Sequence, residues 1–309
     1  MSQRIAVTGA TGFLGRYVVD AVLQRGHHPV GVVRNPDRVP ELRARGIELR
    51  RADLTDPEAL RAGFRGTDAV VSVAAMVNVA SMYSPRRARR EEYIRTNVGG
   101  IRNVMEAAAA VGVPRVVHIS SANVYSERSP LVSEDGALHA DGAHHLLSNI
   151  YSISKAAAER LAWQMAESHR LSLTTLRPTG IYGAHDTTLM PILRALLRPR
   201  ISVFPAFTRL QLVHAGDVAE AAMLALEKNE ARGAAFNIAG GEETLWELAR
   251  LWREGQQLPR RFLLPVPLPI RPLLDTERAR RVLGWEPRPL REGVAELMAR
   301  EGATAPDGH

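Results

Sequence analysis

Short apolar runs alternate with longer amphipathic stretches along the chain as far as Pro178. The short runs, rich in valine, isoleucine and alanine, predict buried strands, and apolar residues spaced three and four apart predict helices. The predicted strands cover residues 5–9, 29–34, 48–53, 69–75, 115–121 and 172–178, with helices between them. Because parallel neighbours need helical crossovers, this pattern predicts an α/β fold with a doubly wound parallel sheet.

After Pro178 the pattern loosens and proline-rich connections become frequent. Residues 212–228 and 234–238 are predicted to add further strand and helix material to the main sheet. We therefore assign residues 1–181 with 210–239 to the sheet domain. Residues 182–209 with 240–302 are assigned to a smaller C-terminal substrate-binding lobe, and residues 303–309 to a frayed tail.

The segment TGATGFLG, which joins the first predicted strand to the first helix, carries glycines at positions 9, 12 and 15. Such glycines allow a tight turn, close approach of a pyrophosphate and close packing of helix on strand. The helix N-terminus then presents free N–H groups to the anion. This placement predicts a dinucleotide site that includes Gly9, Thr11, Gly12, Phe13, Leu14 and Gly15.

The residue at the end of the second strand helps to select the dinucleotide, and here it is Arg34. A guanidinium can bind a 2′-phosphate through two hydrogen bonds, so NADP(H) is favoured and NAD(H) remains possible. Asp53, at the end of the third strand, is a candidate partner for the adenine amine, with Leu54 beside it. Ala74 and Ala75 leave room for the middle of the cofactor.

Tyr151 and Lys155, in the segment YSISK, are four residues apart and so share one face of a predicted helix. A cation close to a tyrosine lowers the pKa of the phenol, which lets it exchange protons with a substrate oxygen during hydride transfer. Two hydroxyls, Ser120 and Ser121, end the neighbouring fifth strand. Ser121 is the candidate for holding the substrate oxygen.

These motifs, with RTNVGGIRNVMEAA, LRPTGIYG, QLVHAGDVAEA and FNIAGGE in the same order, resemble the extended short-chain dehydrogenase/reductases of the NAD(P)-dependent epimerase/dehydratase family. The resemblance runs from about Arg4 to Arg291. It implies a Rossmann domain, a small substrate lobe and a catalytic set of Ser121, Tyr151 and Lys155. It also implies that Lys155 binds the nicotinamide ribose, that Asn97 lies near the active centre and that Pro178 lines the nicotinamide.

Departures from the family pattern narrow the reaction. Ala122 and Asn123 stand where family dehydratases carry an Asp–Glu pair, so dehydration is disfavoured. Leu210 stands where nucleotide-sugar epimerases usually place an arginine that binds the diphosphate, although Arg209 is adjacent. We therefore expect an NADP(H)-dependent carbonyl reductase or alcohol dehydrogenase acting on a small, partly apolar substrate. Asn123 and Tyr182 are further candidates for substrate contact.

Two alternatives stay open at this point. One is a nucleotide-sugar 4-epimerase that keeps NAD(P) tightly bound, and the other is an NADP(H)-binding sensor without turnover. The complete serine, tyrosine and lysine set argues against the sensor, because a pure binder has no need of the phenol.

Composition excludes some other classes of site. The chain of 309 residues has no cysteine, which excludes disulfides and thiolate metal sites. The histidines His139, His144 and His145 are better explained as part of a polar loop than as metal ligands. The net charge of +7 is carried by dispersed arginines, so no nucleic-acid partner is expected.

The expected location and assembly follow from the same sequence. No segment has the length and apolar character of a signal peptide or a membrane span, so a cytoplasmic protein without a membrane partner is expected. The helices predicted near residues 91–111 and 149–169 allow a homodimer through a four-helix interface, as in the family.

Overall fold

A computed structural model describes residues 2–77, 86–126, 129–140, 149–197, 201–204, 209–255, 262–265 and 273–304. The predicted loop residues His144 and His145 and the tail 305–309 lie outside these ranges. Within the described ranges, no helix combines the length and the apolar character needed to cross a bilayer.

A seven-stranded parallel sheet forms the centre of the molecule and confirms the predicted fold class. Its strand order is β11-β7-β5-β4-β1-β2-β3. The strands are β1 (Arg4–Thr8), β2 (His28–Val33), β3 (Glu48–Arg51), β4 (Ala69–Ser72), β5 (Arg115–Ile119), β7 (Ser172–Pro178) and β11 (Ala234–Ile238). The order reverses between β1 and β4, which creates the crevice at which open α/β sheets bind ligands.

Helices cover both faces of this sheet. They are α1 (Phe13–Gln24), α2 (Pro40–Ala44), α3 (Pro57–Phe64), α4 (Arg87–Tyr93), α5 (Gly100–Ala110), α6 (Ile150–His169) and α8 (Ala215–Glu227). A π-helical turn, Ile94–Gly99, joins α4 to α5. Two buried apolar clusters result, one beneath α1 and α8 and the other beneath α3, α5 and α6.

The remaining elements form short additions at the carboxyl end of the sheet. They are β6 (Leu131–Val132), β8 (Gly180–Tyr182), α7 (Leu189–Leu197), β9 (Ile201–Phe204), β10 (Leu212–His214), α9 (Leu245–Gly255), β12 (Phe262–Pro265), β13 (Leu273–Leu274) and α10 (Leu290–Thr304). A third apolar cluster, which includes Tyr182, Leu248 and Leu297, lies among α9, α10 and β8.

One sequence prediction about the main sheet is wrong. We expected residues 212–228 to extend it, but β10 pairs with β8 in a separate two-stranded sheet. Helix α8 does pack against α1, and β11 pairs with β7 as expected. The three-residue β10 is too short for its own pattern to specify which strand it joins.

Candidate active site

The glycine loop between β1 and α1 has the geometry of a tight anion-binding turn. Gly9 has φ of +67°, a conformation that glycine adopts without strain. A Cβ on Gly15 would lie 2.0 Å from the carbonyl oxygen of Gly9, so a side chain there would displace the backbone. The backbone of the loop therefore packs directly against Gly15, on the side that we call its inner side, and leaves no room there for a side chain.

The outer side of this loop fits a pyrophosphate. Gly12 is the N-cap of α1, and no side chain caps the helix there. The first turn of α1 also contains no acidic residue. The N–H groups of that turn point outward with the positive end of the helix dipole. Thr11 and Phe13 flank Gly12 at partly buried positions, and Leu14 is buried beneath it. These residues fit a dinucleotide in the predicted way.

The space beside this loop is bounded by small residues after β4. The hydroxyl oxygen of Thr8 accepts hydrogen bonds from the backbone N–H groups of Val73 and Ala74. Ala74 packs so closely on Gly9 that a Cβ there would lie 3.0 Å from the Ala74 Cβ. Ala74 and Ala75 are partly buried, and their role in leaving room for the cofactor stays a prediction.

Arg34 lies directly after β2, exposed, and no described residue is a hydrogen-bond partner of its guanidinium group. Asp37, the nearest acidic residue in sequence, instead accepts a hydrogen bond from Arg43 at 3.1 Å. Burial raises the pKa of Asp53, but hydrogen bonds from Thr55 and the charge of Arg34 lower it overall. Arg34 and Asp53 thus lie close enough to interact, with Arg34 open to an anion.

Asn97 lies in the π-helical turn and is buried. Its Oδ1 accepts a hydrogen bond from the Met76 N–H at 2.7 Å, and its Nδ2 donates to the Met76 carbonyl and to Ser154 Oγ. The amide therefore joins the chain after β4 to helix α6, and these bonds occupy its polar atoms. Its cofactor contact stays a prediction.

Tyr151 lies in the first turn of α6, where the N-cap Asn149 accepts hydrogen bonds from its N–H and from that of Ser152. Its phenol is buried and lies close enough to the Ser121 hydroxyl, which follows β5, for that hydroxyl to lower its pKa. Ser121 Oγ also accepts a hydrogen bond from the Asn123 N–H at 3.1 Å. The structure thus brings together the serine and tyrosine that the sequence paired.

The pKa of the Tyr151 phenol departs from the expected direction. Burial raises it, the hydrogen bond with Ser121 lowers it in part, and Tyr93 raises it again, so the net direction is upward. The expectation that Lys155 lowers this pKa is wrong for the chain by itself. The ammonium group of Lys155 donates instead to the Ile119 carbonyl oxygen at 2.7 Å.

Lys155 is almost fully buried one helical turn after Tyr151, with 2% of its surface exposed. Burial lowers the pKa of its amine to about 8, and the Glu159 carboxylate acts in the opposite direction. His118, on β5, is buried beside it, and both burial and the charge of Lys155 lower the pKa of this imidazole. His118 is therefore a neutral packed side chain.

The sequence analysis missed a buried ion pair behind this site. The Glu159 carboxylate contacts Arg177, with Oε1 to Nη2 at 2.6 Å, and both side chains are buried. The missed signal is the continued four-residue spacing from Tyr151 through Lys155 to Glu159 in YSISKAAAE. It places a third ionisable residue on the same helical face.

The remaining predicted residues divide into two groups. Asn123 is exposed next to Ser121, and Pro178 is buried at the end of β7, so both lie at the carboxyl edge of the sheet. Tyr182 instead is 1% exposed and packs against His214 and Gly293 in the interior of the additions. Its substrate contact gains no support from these surroundings. Leu54 packs against Gly100, below the loop of Asp53.

Comparisons with known proteins agree with this geometry. The family model for the NAD dependent epimerase/dehydratase family matches residues 5–239. The 4-hydroxy-2-methyl-3-oxo-4-farnesyl-3,4-dihydroquinoline-1-oxide ketoreductase of Stigmatella aurantiaca is 29% identical over 82% of this chain and 73% of its own. The 3 beta-hydroxysteroid dehydrogenase/Delta 5-->4-isomerase of Mycobacterium tuberculosis is 29% identical over 92% of this chain and 86% of its own.

A solved structure of MoeE5 in complex with UDP-glucose and NAD superimposes with a TM-score of 0.77. It is 28% identical and covers 97% of this chain and 100% of its own. The match of the family model extends from β1 to the end of β11, and so includes the glycine loop, Ser121, Tyr151 and Lys155. The chain is an enzyme of the NAD-dependent epimerase/dehydratase family, within the extended short-chain dehydrogenase/reductases.

Proposed function

We propose that this enzyme is an NADP(H)-dependent carbonyl reductase, which in reverse is an alcohol dehydrogenase, acting on a substrate with substantial apolar surface. The observation that carries the proposal is the Tyr151 phenol, buried beside the Ser121 hydroxyl and one helical turn from Lys155. The arrangement supplies a proton donor and a second hydroxyl at one point in the crevice.

A bound nicotinamide supplies the hydride that reaches the carbonyl carbon of the substrate. Ser121 donates a hydrogen bond to the carbonyl oxygen and holds it in line with the phenol. As negative charge develops on that oxygen, the proton moves from Tyr151 Oη to it, and the product is the secondary alcohol. The positive charge of Lys155, together with that of an oxidised nicotinamide, would then offset the cost of burying the phenolate.

The raised pKa of Tyr151 is compatible with its role as the proton donor in the reducing direction. A phenol with a raised pKa keeps its proton at neutral pH, which is the state that a general acid requires. Oxidation of an alcohol needs the phenolate instead. That state requires the positive charge of Lys155 and of an oxidised nicotinamide to overcome the effect of burial.

The preference for NADP(H) is supported by Arg34. Its guanidinium is exposed at the end of β2, and the nearby Asp37 is already paired with Arg43. A 2′-phosphate at this place would find a cation without a competing carboxylate hydrogen-bonded to it. Arginine is suited to this contact because its planar fork matches phosphate oxygens.

The apolar character of the substrate is supported by the residues around Tyr151. Tyr93 and Ile150 are buried against it, with Met76 and Ile94 packed alongside. Val77, which follows Met76, is 44% exposed at the same edge of the sheet. The names of the two enzymes compared above, a farnesyl quinoline oxide ketoreductase and a hydroxysteroid dehydrogenase, also describe apolar ketones or alcohols.

The test is a nicotinamide absorbance assay with a panel of ketones and aldehydes of graded apolar size. We expect the wild type to oxidise NADPH in their presence. Tyr151→Phe should lose a factor of about 10²–10⁴ in kcat, because general acid catalysis contributes roughly this much. The variant should still bind NADPH, as measured by the change in nicotinamide fluorescence.

The nucleotide-sugar epimerase is the second candidate, because MoeE5 was solved with UDP-glucose and NAD. Purified enzyme that carries bound NAD(P), and whose melting temperature rises with UDP-hexoses but not with apolar ketones, would favour it over the reductase. NADPH binding without turnover on either kind of substrate would instead indicate a sensor.

A further inference from the structure

Glu159 accepts hydrogen bonds from two different strands of the sheet. Ser120 Oγ, after β5, donates to its Oε2 at 2.5 Å. Arg177, on β7, donates to its Oε1 from Nε at 2.9 Å and from Nη2 at 2.6 Å. The carboxylate is 0% exposed, so no water competes for these bonds. One side chain of α6 thus fixes the helix against the ends of two neighbouring strands.

The bond to Ser120 places Glu159 next to the catalytic turn. Ser120 and Ser121 are adjacent, so the backbone that aims Ser121 at Tyr151 is the same backbone that Glu159 holds through Ser120. The preceding residue, Ile119, accepts the hydrogen bond from Lys155. Helix α6 therefore contacts three consecutive residues, 119–121, with three side chains spaced four residues apart.

Arg177 extends this contact toward the chain that covers the carboxyl end of the sheet. Its Nη1 donates to Tyr125 Oη and to the Glu134 carbonyl oxygen, both at 2.7 Å. The Tyr125 hydroxyl donates to Asn237 Oδ1 at 2.6 Å. Asn237 in turn donates to the carbonyl oxygens of Val132 and Asp275. The catalytic helix is thereby connected to β6 and to the residues after β13.

We propose that Glu159 is a positioning residue of the active site: its carboxylate sets the orientation of the Ser120–Ser121 turn against Tyr151 and Lys155. This inference rests on the proposed catalytic set. It adds a residue that touches neither the phenol nor the substrate. Through Arg177, the same carboxylate links that set to the chain segment that carries β6.

The charge of Glu159 matters because Lys155 has few other groups to stabilise it. Among the described residues, the ionisable groups whose electrostatics are linked to its amine are Glu159 on α6 and the neutral His118 on β5. Burial lowers the pKa of Lys155 and Glu159 is the group that raises it. Loss of the carboxylate charge should therefore move the pKa of Lys155 below its present value of about 8.

Lys155 and Lys228 are the only lysines in the sequence, which makes a direct test possible. Protein grown with ¹³C-lysine gives two sets of side-chain NMR signals, and the pKa of Lys155 follows from the shift of its Cε with pH. In Glu159→Gln we expect this pKa to fall. The alkaline limb of the pH–rate profile should move to lower pH by the same amount.

The same variant should lose catalytic rate rather than cofactor binding. Misplacement of a catalytic group by about 1 Å costs roughly 100-fold in rate, so we expect kcat to fall by about 10–100-fold while the KM for NADPH changes less. Asp217→Asn is the matched control. Asp217 is a buried carboxylate paired with Arg288, at 2.7 Å, on α8, away from residues 119–121. It should leave the titration of Lys155 and the pH profile unchanged.

Glu159→Gln leaves the charge of Arg177 unpaired. If that variant does not fold, the titration of Lys155 is measured instead in the double variant Glu159→Met with Arg177→Met. Removal of both partners of a buried ion pair is often tolerated. We expect a folded protein with the same fall in the pKa of Lys155. Unchanged titration of Lys155, with kcat reduced no more than in Asp217→Asn, would overturn the proposal. The titration needs no turnover, so it is independent of whether the enzyme reduces carbonyls.

Discussion

Lys155 is conspicuous because the chain otherwise uses arginine almost everywhere. Of its 40 lysine and arginine residues, only Lys155 and Lys228 are lysines. A guanidinium cannot lose its proton in the physiological range, whereas burial lowers the pKa of Lys155 to about 8. An ammonium is also compact enough to donate to the Ile119 carbonyl oxygen within the buried site. The lysine is thus a chemical requirement at this position.

Local spacing predicted the residues of the site that lie close together in the chain, and failed for those joined only by the fold. Tyr151 and Lys155 share a helical face at a spacing that can be counted in the sequence. The contact of Glu159 with Arg177 depends instead on how α6 packs on β7, which no local pattern specifies. The sequence also did not predict that the pKa of Tyr151 is raised, since this shift results from burial of the phenol beside Tyr93 in the folded protein.

At the same scale, Arg34→Ala tests the choice of cofactor. A hydrogen bond to a charged group contributes about 1.5–3 kcal/mol, so we expect kcat/KM for NADPH to fall by about 10–100-fold. The value for NADH should change little. Steady-state kinetics with both cofactors provide the measurement.

Arg250→Ala is the matched control for this prediction, since Arg250 is an exposed arginine of α9 that is paired with Glu254. It should leave the ratio of the two cofactors near that of the wild type. Equal losses with NADPH and NADH in Arg34→Ala would contradict a 2′-phosphate contact.

At the scale of elements, the strand–loop–helix unit from β1 to α1 was the most predictable part of the molecule. The glycines of the loop, the N-cap at Gly12 and the apolar pattern of α1 all depend on residues that are close in the sequence. The structure contains each of these features. The long helix predicted over 91–111 was only partly right. It begins at Arg87 and contains a π-helical turn around Asn97, whose bonds to Met76 and Ser154 are tertiary contacts.

Gly15→Ala tests the closed inner side of the glycine loop. The added Cβ would lie 2.0 Å from the Gly9 oxygen and 2.9 Å from the Ala10 Cα, both backbone atoms that cannot rotate away. We expect the free energy of unfolding to fall by about 1–3 kcal/mol, as for overpacking in a core. NADPH should also bind more weakly. Urea unfolding and nicotinamide fluorescence are the measurements.

Gly99→Ala provides the comparison, because no atom lies within 4 Å of the Cβ it would add. Its backbone is helical, so the change should be neutral or stabilising by up to about 1 kcal/mol. A Gly15→Ala variant as stable as the wild type would show that the loop can relax without cost.

At the scale of the whole molecule, the doubly wound parallel sheet followed from the chain pattern, but the pairing of the minor sheets did not. Alternation of strands and helices with right-handed crossovers leaves few arrangements for β1 to β7. The pairs β8 with β10 and β6 with β13 involve only two or three residues each, brought together by the packing of the additions. The homodimer through the long helices stays a prediction.

Stability against pH gives a test of the buried amine in the intact fold. The folded pKa of Lys155 is lowered to about 8 from 10.5, so the unfolded chain binds more protons between these values. Stability therefore rises with pH across this window. Between about pH 7 and pH 9.5 the wild type should gain about 2 kcal/mol from this group.

Lys155→Met removes this dependence, because methionine has no proton to lose. Its free energy of unfolding, relative to the wild type, should decline by about 2 kcal/mol over the same interval. Urea unfolding at the two pH values measures the difference, and other titrating groups cancel in it. Lys228→Met controls for loss of a lysine at a half-buried position. A difference that stays constant with pH would mean that Lys155 is not titrating below its ordinary range.

The position of β11 at the edge of the sheet, beside β7, has a consequence for synthesis on the ribosome. Six strands of the main sheet, β1 to β5 and β7, leave the exit tunnel first, and β11 is completed only at Ile238. Until then, β7 presents an unpaired edge to solvent, next to the strand that leads to Ser121. Chaperones that recognise open edges would find their target during this interval of translation, and the pairing of β11 with β7 would end it.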